Sequence, residues 1–295
     1  MSALTFHDRP ELRDPVMVLA FLGWNDAAES ASGVIRYLRR KARTERLAEI
    51  DPDEFFVFTE DRPHVRLRDS RTREIRWPLT DFTPARFEGA ERDFILGLGT
   101  EPHLRWKAFS AHVAEVALEL GVSEIITVGG LLADTPHTRP VPVSGSAHPL
   151  ERMQELGFEP SSYQGPTGIV GAIGDMCREQ DIAHVGLWAS VPHYVSGGQN
   201  PRATQALLTQ LNEIYALGLD LSDLEGRARR YDAQVAEALK DNSEMREYVQ
   251  KLEASAEPSD EGAGAAAEAT PERLSSTDAL KEIDRMLRGD EEETA

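Results

Sequence analysis

Hydrophobic and polar positions along this chain alternate between two periods. Residues 16–22, "VMVLAFL", are continuously apolar, the pattern of a strand buried on both faces. A Gly-Trp-Asn-Asp turn follows, and Ala27, Ala28, Ala31, Val34, Ile35 and Leu38 then recur at helical spacing up to the basic "RRKAR". Asp26 followed by Glu29 has the form of a capping box, and the late arginines suit a helix C-terminus. "EFFVFT" at 54–59 reads as a second strand completing a β-α-β unit. "DFILGLGT" (93–100), "EIITVGG" (124–130) and "AHVGLWASV" (183–191) read as three further buried strands.

Helical stripes lie between these strands. Trp106, Phe109, Val113, Val116 and Leu120 form one, with Thr100 as its cap and Pro102 in its first turn. "GPTGIVGAIGDMCREQ" (165–180) is a Gly-rich helix, and another runs from about Arg202 to Leu217. "LLADTPHTRPVPVSG" reads as a long polar loop. Residues 63–78 alternate instead: Val65, Leu67, Ile75 and Trp77 point one way and Arg66, Arg68 and Arg76 the other, around a polar "DSRT" turn. That is an antiparallel hairpin with a basic stripe, either a solvated face that resists edge pairing or a dock for an acidic surface.

From Leu224 the apolar spacing becomes threes and fours through Ala228, Tyr231, Val235, Ala238, Met245, Val249 and Leu252. "DNS" at 241–243 splits this seam into two helices, with Ser243 capping the second. The predicted fold is α/β: a three-layer α/β/α sandwich with a mostly parallel sheet over residues 1–221, carrying a helical hairpin at 222–252. A disordered acidic linker (253–275), a short amphipathic helix (276–289) and an acidic tail (290–295) complete the expected organisation.

Composition narrows the function classes. The net charge of the 295-residue chain is −19, and residues 253–295 hold −9 of it. So acidic a chain is not a general nucleic-acid binder, which needs a surplus of Lys and Arg. One cysteine, Cys177, excludes an intrachain disulfide framework and suits a reducing compartment. "MSALTFHDRPELRDP" has no signal-peptide core, and no apolar run approaches membrane-span length. The expectation is a cytoplasmic protein with no membrane partner.

In an open α/β sheet, ligands gather beyond the carboxyl ends of the strands. That rule groups Trp24, Asn25 and Asp26 with Glu101 and Arg105, with Gly129, Gly130 and Asp134, with His137 and Arg139, and with His193 and Tyr194. Gly165, Gly168, Gly171 and Gly174 make a bare stripe that suits close packing, and Thr167 and Gly168 at the helix start offer the alternative of a place for an anion. Turn chemistry alone explains most of the glycines here. No GxSxG, HExxH, Walker or kinase-type set occurs, and the eight histidines lack metal spacing. The residues therefore assign no catalytic group, metal or cofactor.

"GWNDA" (23–27), "GTEPHLRW" (99–106), "VGGLLADTPHTRP" (128–140), "GPTGIVG" (165–171) and "SVPHY" (190–194) together resemble the proteasome assembly chaperone 2 family, in its actinobacterial branch. The likeness runs in order over roughly residues 14–255, and "DALKEIDRMLR" resembles a short helix that ends such bacterial members. It implies a body similar to the nucleoside phosphorylase and hydrolase fold, assembled as a homo-oligomer, often a trimer. It also implies a non-catalytic, chaperone-like role linked to proteasome core-particle assembly, with proteasome α-subunits as partners. Related chaperones and activators often end in a hydrophobic residue, a Tyr and one further residue. This chain ends "GDEEETA", so contact is expected from the body or from the 276–289 helix. The alternative is a binding protein or enzyme that takes a nucleoside-like or carboxylate ligand at the strand-end rim.

Overall fold

The computed structural model describes residues 3–42, 45–68 and 72–255. The expected helix at 276–289, its acidic tail and nearly all of the expected linker lie outside the described residues.

The apolar run becomes β2 (Val16–Leu22), and its alternate residues feed two cores. Val16, Val18 and Ala20 belong to one buried cluster, and Met17, Leu19 and Phe21 to another. This is what a period of two produces when both faces of a strand are covered. Parallel partners surround it: β7 (Phe94–Thr100) on one side and β8 (Glu124–Ala133) on the other, with β10 (Ala183–Pro192) parallel to β8. The carboxyl ends of these four strands share one rim.

Beyond them the sheet turns antiparallel. β6 (Thr80–Ala85), β3 (Ala48–Ile50) and β1 (Leu4–Phe6) extend one edge, and β9 (Val143–His148) closes the other. The order is β1-β3-β6-β7-β2-β8-β10-β9. The fold is α/β, but the sheet is mixed rather than mostly parallel. A separate two-stranded ribbon, β4 (His64–Leu67) with β5 (Arg73–Arg76), pairs Val65 with Ile75.

Helices α1 (Ser30–Ala42) and α5 (Pro201–Tyr215) supply the first core with Val34, Ile35, Leu38, Leu207 and Leu211. Helices α2 (Trp106–Glu119) and α4 (Ile169–Glu179) supply the second with Phe109, Val113, Ile169 and Ile173. A short α3 (Leu150–Glu155) follows β9. After α5 come α6 (Ser222–Leu239) and α7 (Ser243–Ser255). Tyr231, Val235 and Leu239 of α6 share a third cluster with Met245 and Val249 of α7 and with Tyr194 and Val195.

Several local expectations are corrected. "EFFVFT" is not a strand: Phe55 and Phe56 sit in turns whose N–H groups donate to the Pro52 carbonyl. Both rings are still buried, which is why the segment reads as core. The chain leaving α1 enters β3, which pairs antiparallel, so no β-α-β unit forms there. The polar loop expected after residue 130 contains the end of β8 and the start of β9. "VSGSAH" carries a single β-branched residue, Val143, too weak a signal to mark a strand, and the bare Gly145 leaves room for the Phe158 ring.

Thr100 does not cap α2; it ends β7, and Arg105 precedes the helix at a left-handed φ of 56° with no side-chain cap. Pro102 lies before that helix, where its carbonyl accepts a 2.5 Å hydrogen bond from Trp106 Nε1. The Gly-rich helix begins only at Ile169. Asn242, not Ser243, caps α7, its Oδ1 accepting from the Met245 N–H at 3.0 Å.

Candidate functional site

The structure divides the expected rim into two corners and leaves two arginines outside both. The first corner is built on the turn after β2. Asn25 and Asp26 are buried, whereas Trp24 beside them is 63% exposed. Asp26 forms an isolated parallel bridge with Gly130, whose N–H donates to the Asn25 carbonyl at 2.8 Å. The turn is thereby sewn to the end of β8.

The Asp26 side chain then starts α1. Its Oδ1 accepts from the Ala31 N–H at 2.8 Å and the Ser32 N–H at 3.0 Å, satisfying donors that a helix start leaves open. A 3₁₀ turn at Ala27–Glu29 intervenes, with Ala28 and Glu29 at positive φ. Glu29 consequently does not close a capping box; it pairs with Arg36. Burial raises the Asp26 pKa against the pull of these hydrogen bonds.

Glu101, just past β7, ties the turn to α4. Its Oε1 accepts from Asn25 Nδ2 at 2.6 Å and from the Ile169 N–H at 2.8 Å. The positive end of α4, where Thr167 and Gly168 offered a place for an anion beside the packing reading, thus holds the chain's own carboxylate. Gly168 is buried against Asn25, and a Cβ there would overlap the Asn25 amide. Thr167 is exposed. Asn25 Oδ1 and Asp26 Oδ2 are buried with no hydrogen-bond partner.

The second corner lies beyond β8 and β10. His137 donates its backbone N–H to Tyr194 Oη at 2.9 Å, and its Nδ1 lies 2.9 Å from the same oxygen. His193 Nδ1 is 3.1 Å from Asp134 Oδ1, off the line of a hydrogen bond, and Tyr248 Oη of α7 donates to that same carboxylate oxygen at 3.1 Å. The rings of Tyr194, His193 and Tyr248 meet edge to face. Burial lowers the His137 pKa and pushes the Tyr194 phenol up to about 12. Helix α7 therefore lies across this half of the rim. A cavity of about 10 Å³ beside His137, Asn200 and Arg202 has room for about one water.

Arg105 is exposed and paired with Glu54, and Arg139 is exposed in its loop. Gly129 lies under the Trp188 ring, a packing role. Cys177 is fully buried, and burial pushes its thiol up to about 12, far from a nucleophile's range. Among the described residues no three His, Cys, Asp or Glu side chains converge to hold a metal ion, and no helix is long and apolar enough to cross a membrane.

Two features escaped the sequence reading. One is the α7 cover, for which the signal was Tyr248 adjoining the apolar seam. The other is a groove of about 560 Å³ between α2 and α4, with the buried Ala114 and half-buried Ala172 at its floor and the exposed Ala111 beside them. Small residues three and four apart on α2 were its trace in the sequence.

Comparison with known proteins bears on the family and the fold. A model of the PAC2 family matches residues 20–239. A PAC2 family protein from Streptomyces avermitilis is 42% identical over 80% of this chain and 100% of its own, with a TM-score of 0.76. A proteasome-assembly chaperone homologue from Mycobacterium tuberculosis is 38% identical over 80% and 100%, with a TM-score of 0.73. The archaeal proteasome activator PbaB of Pyrococcus furiosus shares the fold at 15% identity, with a TM-score of 0.65 over 79% of this chain and 97% of its own. No curated protein sequence matches.

Proposed function

The chain belongs to the PAC2 family, and from that premise we propose that it is a non-catalytic, chaperone-like interaction protein of the cytoplasm. It works as a homo-oligomer, a trimer, and takes part in proteasome core-particle assembly through contacts with α-subunits. One observation carries the reading: Glu101 fills the positive end of α4 and clamps Asn25, so the chain itself occupies the place a ligand would take. Trp24 is left facing outward at the lip of that corner, suited to a partner surface. The relatives named for proteasome assembly and activation support the choice of partner.

A tagged copy expressed in the native host should co-purify core-particle α-subunits, and Trp24→Ala should weaken that capture. Absence of α-subunits from the capture, with normal core-particle maturation in a deletion strain, would sink the proposal.

A second reading is favoured by the two partnerless buried oxygens, Asn25 Oδ1 and Asp26 Oδ2. A small nucleoside-like ligand that opened the corner would donate to these oxygens, and a carboxylate ligand would replace Glu101 as the acceptor of Asn25 Nδ2. A thermal-shift screen decides it: a stabilising ligand whose effect disappears in Asn25→Ala supports this reading, and no stabilisation of the wild type removes it.

A further inference from the structure

The β4–β5 ribbon is a structural anomaly. All eight of its strand residues are exposed, including Val65 at 59%, Leu67 at 66% and Ile75 at 54%. A lone two-stranded ribbon is marginal in water, and it gains stability when a further element covers its apolar face. The pairing register places Val65 opposite Ile75 and Leu67 opposite Arg73, so these four side chains share one face. His64, Arg66, Glu74 and Arg76 occupy the other. Trp77, just beyond β5, meets Phe58 edge to face and anchors one end to the body.

The α2–α4 groove is its physical complement. Alanines floor it, Leu118 stands 62% exposed at its edge, and Glu115, Glu119, Asp175 and Glu179 outnumber Lys107 along its walls. Ser110 of α2 lines it with a hydroxyl that is buried and has no hydrogen-bond partner. An apolar floor with acidic walls fits an apolar face that carries an arginine, Arg73, with Arg66 and Arg76 on the opposite face. The chain carries such a face on its own ribbon.

We infer that the β4–β5 ribbon of one copy seats in the α2–α4 groove of the next, Val65, Leu67 and Ile75 against the alanine floor and Arg73 toward the acidic wall. This rests on the homo-oligomer reading and gives it a surface. Ribbon and groove are different patches, so the contact is head-to-tail, and a rotation that closes makes a ring rather than a two-fold dimer. The acidic surface and basic ribbon also steer encounter between copies, which makes assembly sensitive to salt.

The test is mass in solution by light scattering. The wild-type chain should run at about three times its chain mass. Leu67→Asp, Arg73→Glu and Ala111→Trp should each reduce it to a single chain with an unchanged circular dichroism spectrum. Arg73→Glu combined with Glu179→Arg should recover part of the lost assembly. The double variant Leu67→Cys with Ala111→Cys should form chains linked by disulfides on oxidation, while each single variant should not, because Cys177 is buried. An unchanged mass in the ribbon variants without cross-linking overturns the inference and leaves self-assembly to another surface. A wild type that is a single chain at every concentration overturns both, while the α-subunit capture still decides the chaperone reading. If truncation after Leu252 changes the mass and the ribbon variants do not, the groove belongs to the chain's own C-terminal segment and the inference falls.

Discussion

Glu101 Oε1 accepts a 2.6 Å hydrogen bond from Asn25 Nδ2 across 76 positions of sequence, and the same oxygen accepts the Ile169 N–H at 2.8 Å. One carboxylate thus joins the ends of β2 and β7 to the start of α4. Glu101→Ala removes both bonds and leaves the buried Asn25 side chain wholly unpartnered, a loss of about 1.5–3 kcal/mol. Glu101→Gln retains an acceptor oxygen and forfeits mainly its charge against the helix dipole, about 0.3–1 kcal/mol. Urea unfolding should rank the variants in that order. Equal losses would mean that charge rather than hydrogen bonding holds the corner.

Asp26 presents a different balance. Its Oδ1 holds two N–H groups of α1, but burial raises its pKa, so the ionised form is disfavoured in the folded state. The folded protein binds this proton more readily than the unfolded chain, so this group favours folding as pH falls through its raised pKa and costs stability above it. Asp26→Asn keeps an acceptor oxygen and sheds the buried charge; Asp26→Ala loses the cap, about 1–2 kcal/mol. Chemical denaturation at pH 7 should find the Asn variant the more stable of the two. The reverse ranking would show that an Asn oxygen cannot take over the two N–H bonds of the cap.

How much of this was legible in the sequence depended on how local the determinants were. The apolar runs at 16–22, 93–100 and 183–191 read as strands because each is buried on both faces, and residues 224–252 showed their seam because helical spacing is a short-range signal. The edges were not legible. Thr80–Ala85 contains Pro84 and Asp81, and Val143–His148 contains Gly145 and polar side chains; both are strands because a neighbour supplies the ladder. Residues 54–59 fail in the opposite sense, since Phe55 and Phe56 are core side chains on a turn. At the rim, the sequence rule brought together residues that do lie near strand ends. It could not show that Glu101 turns inward to α4, or that α7 returns to cover Tyr194, because both are long-range contacts.

His184 gives a pH test. Its ring is enclosed by β10, β8 and α4, with Nε2 3.0 Å from Thr127 Oγ1 and Gly174 bare against it. Burial, reinforced by Arg178 and His148, holds its pKa down to about 4. The unfolded chain binds this proton below its ordinary value of about 6.5 and the folded one does not. The stabilisation from a neutral His184 is thus complete above about pH 6.5 and declines as pH falls toward 4, by up to about 1.4 kcal/mol per unit. Urea midpoints of wild type and His184→Gln, measured from pH 7 to 4, should converge on acidification. Parallel curves would mean that His184 is not the group responsible.

The α7 cover makes both polar and apolar contacts with the rim, and their relative sizes can be argued. Met245 is 1% exposed and Val249 6%, both within the cluster that encloses Tyr194 and Val195. Tyr248 is only half-buried, and its hydrogen bond goes to the exposed carboxylate of Asp134. Water competes for that bond, so Tyr248→Phe should cost at most about 0.5–1.5 kcal/mol. Met245→Ala removes buried volume from the seam and should cost about 2–3 kcal/mol. Hydrogen exchange should then report α7 opening in Met245→Ala while the β2, β7 and β8 amides stay protected, because those strands draw on the other two cores. A larger effect from Tyr248→Phe would show that the Asp134–Tyr248 contact, rather than the apolar seam, keeps the helix over the rim.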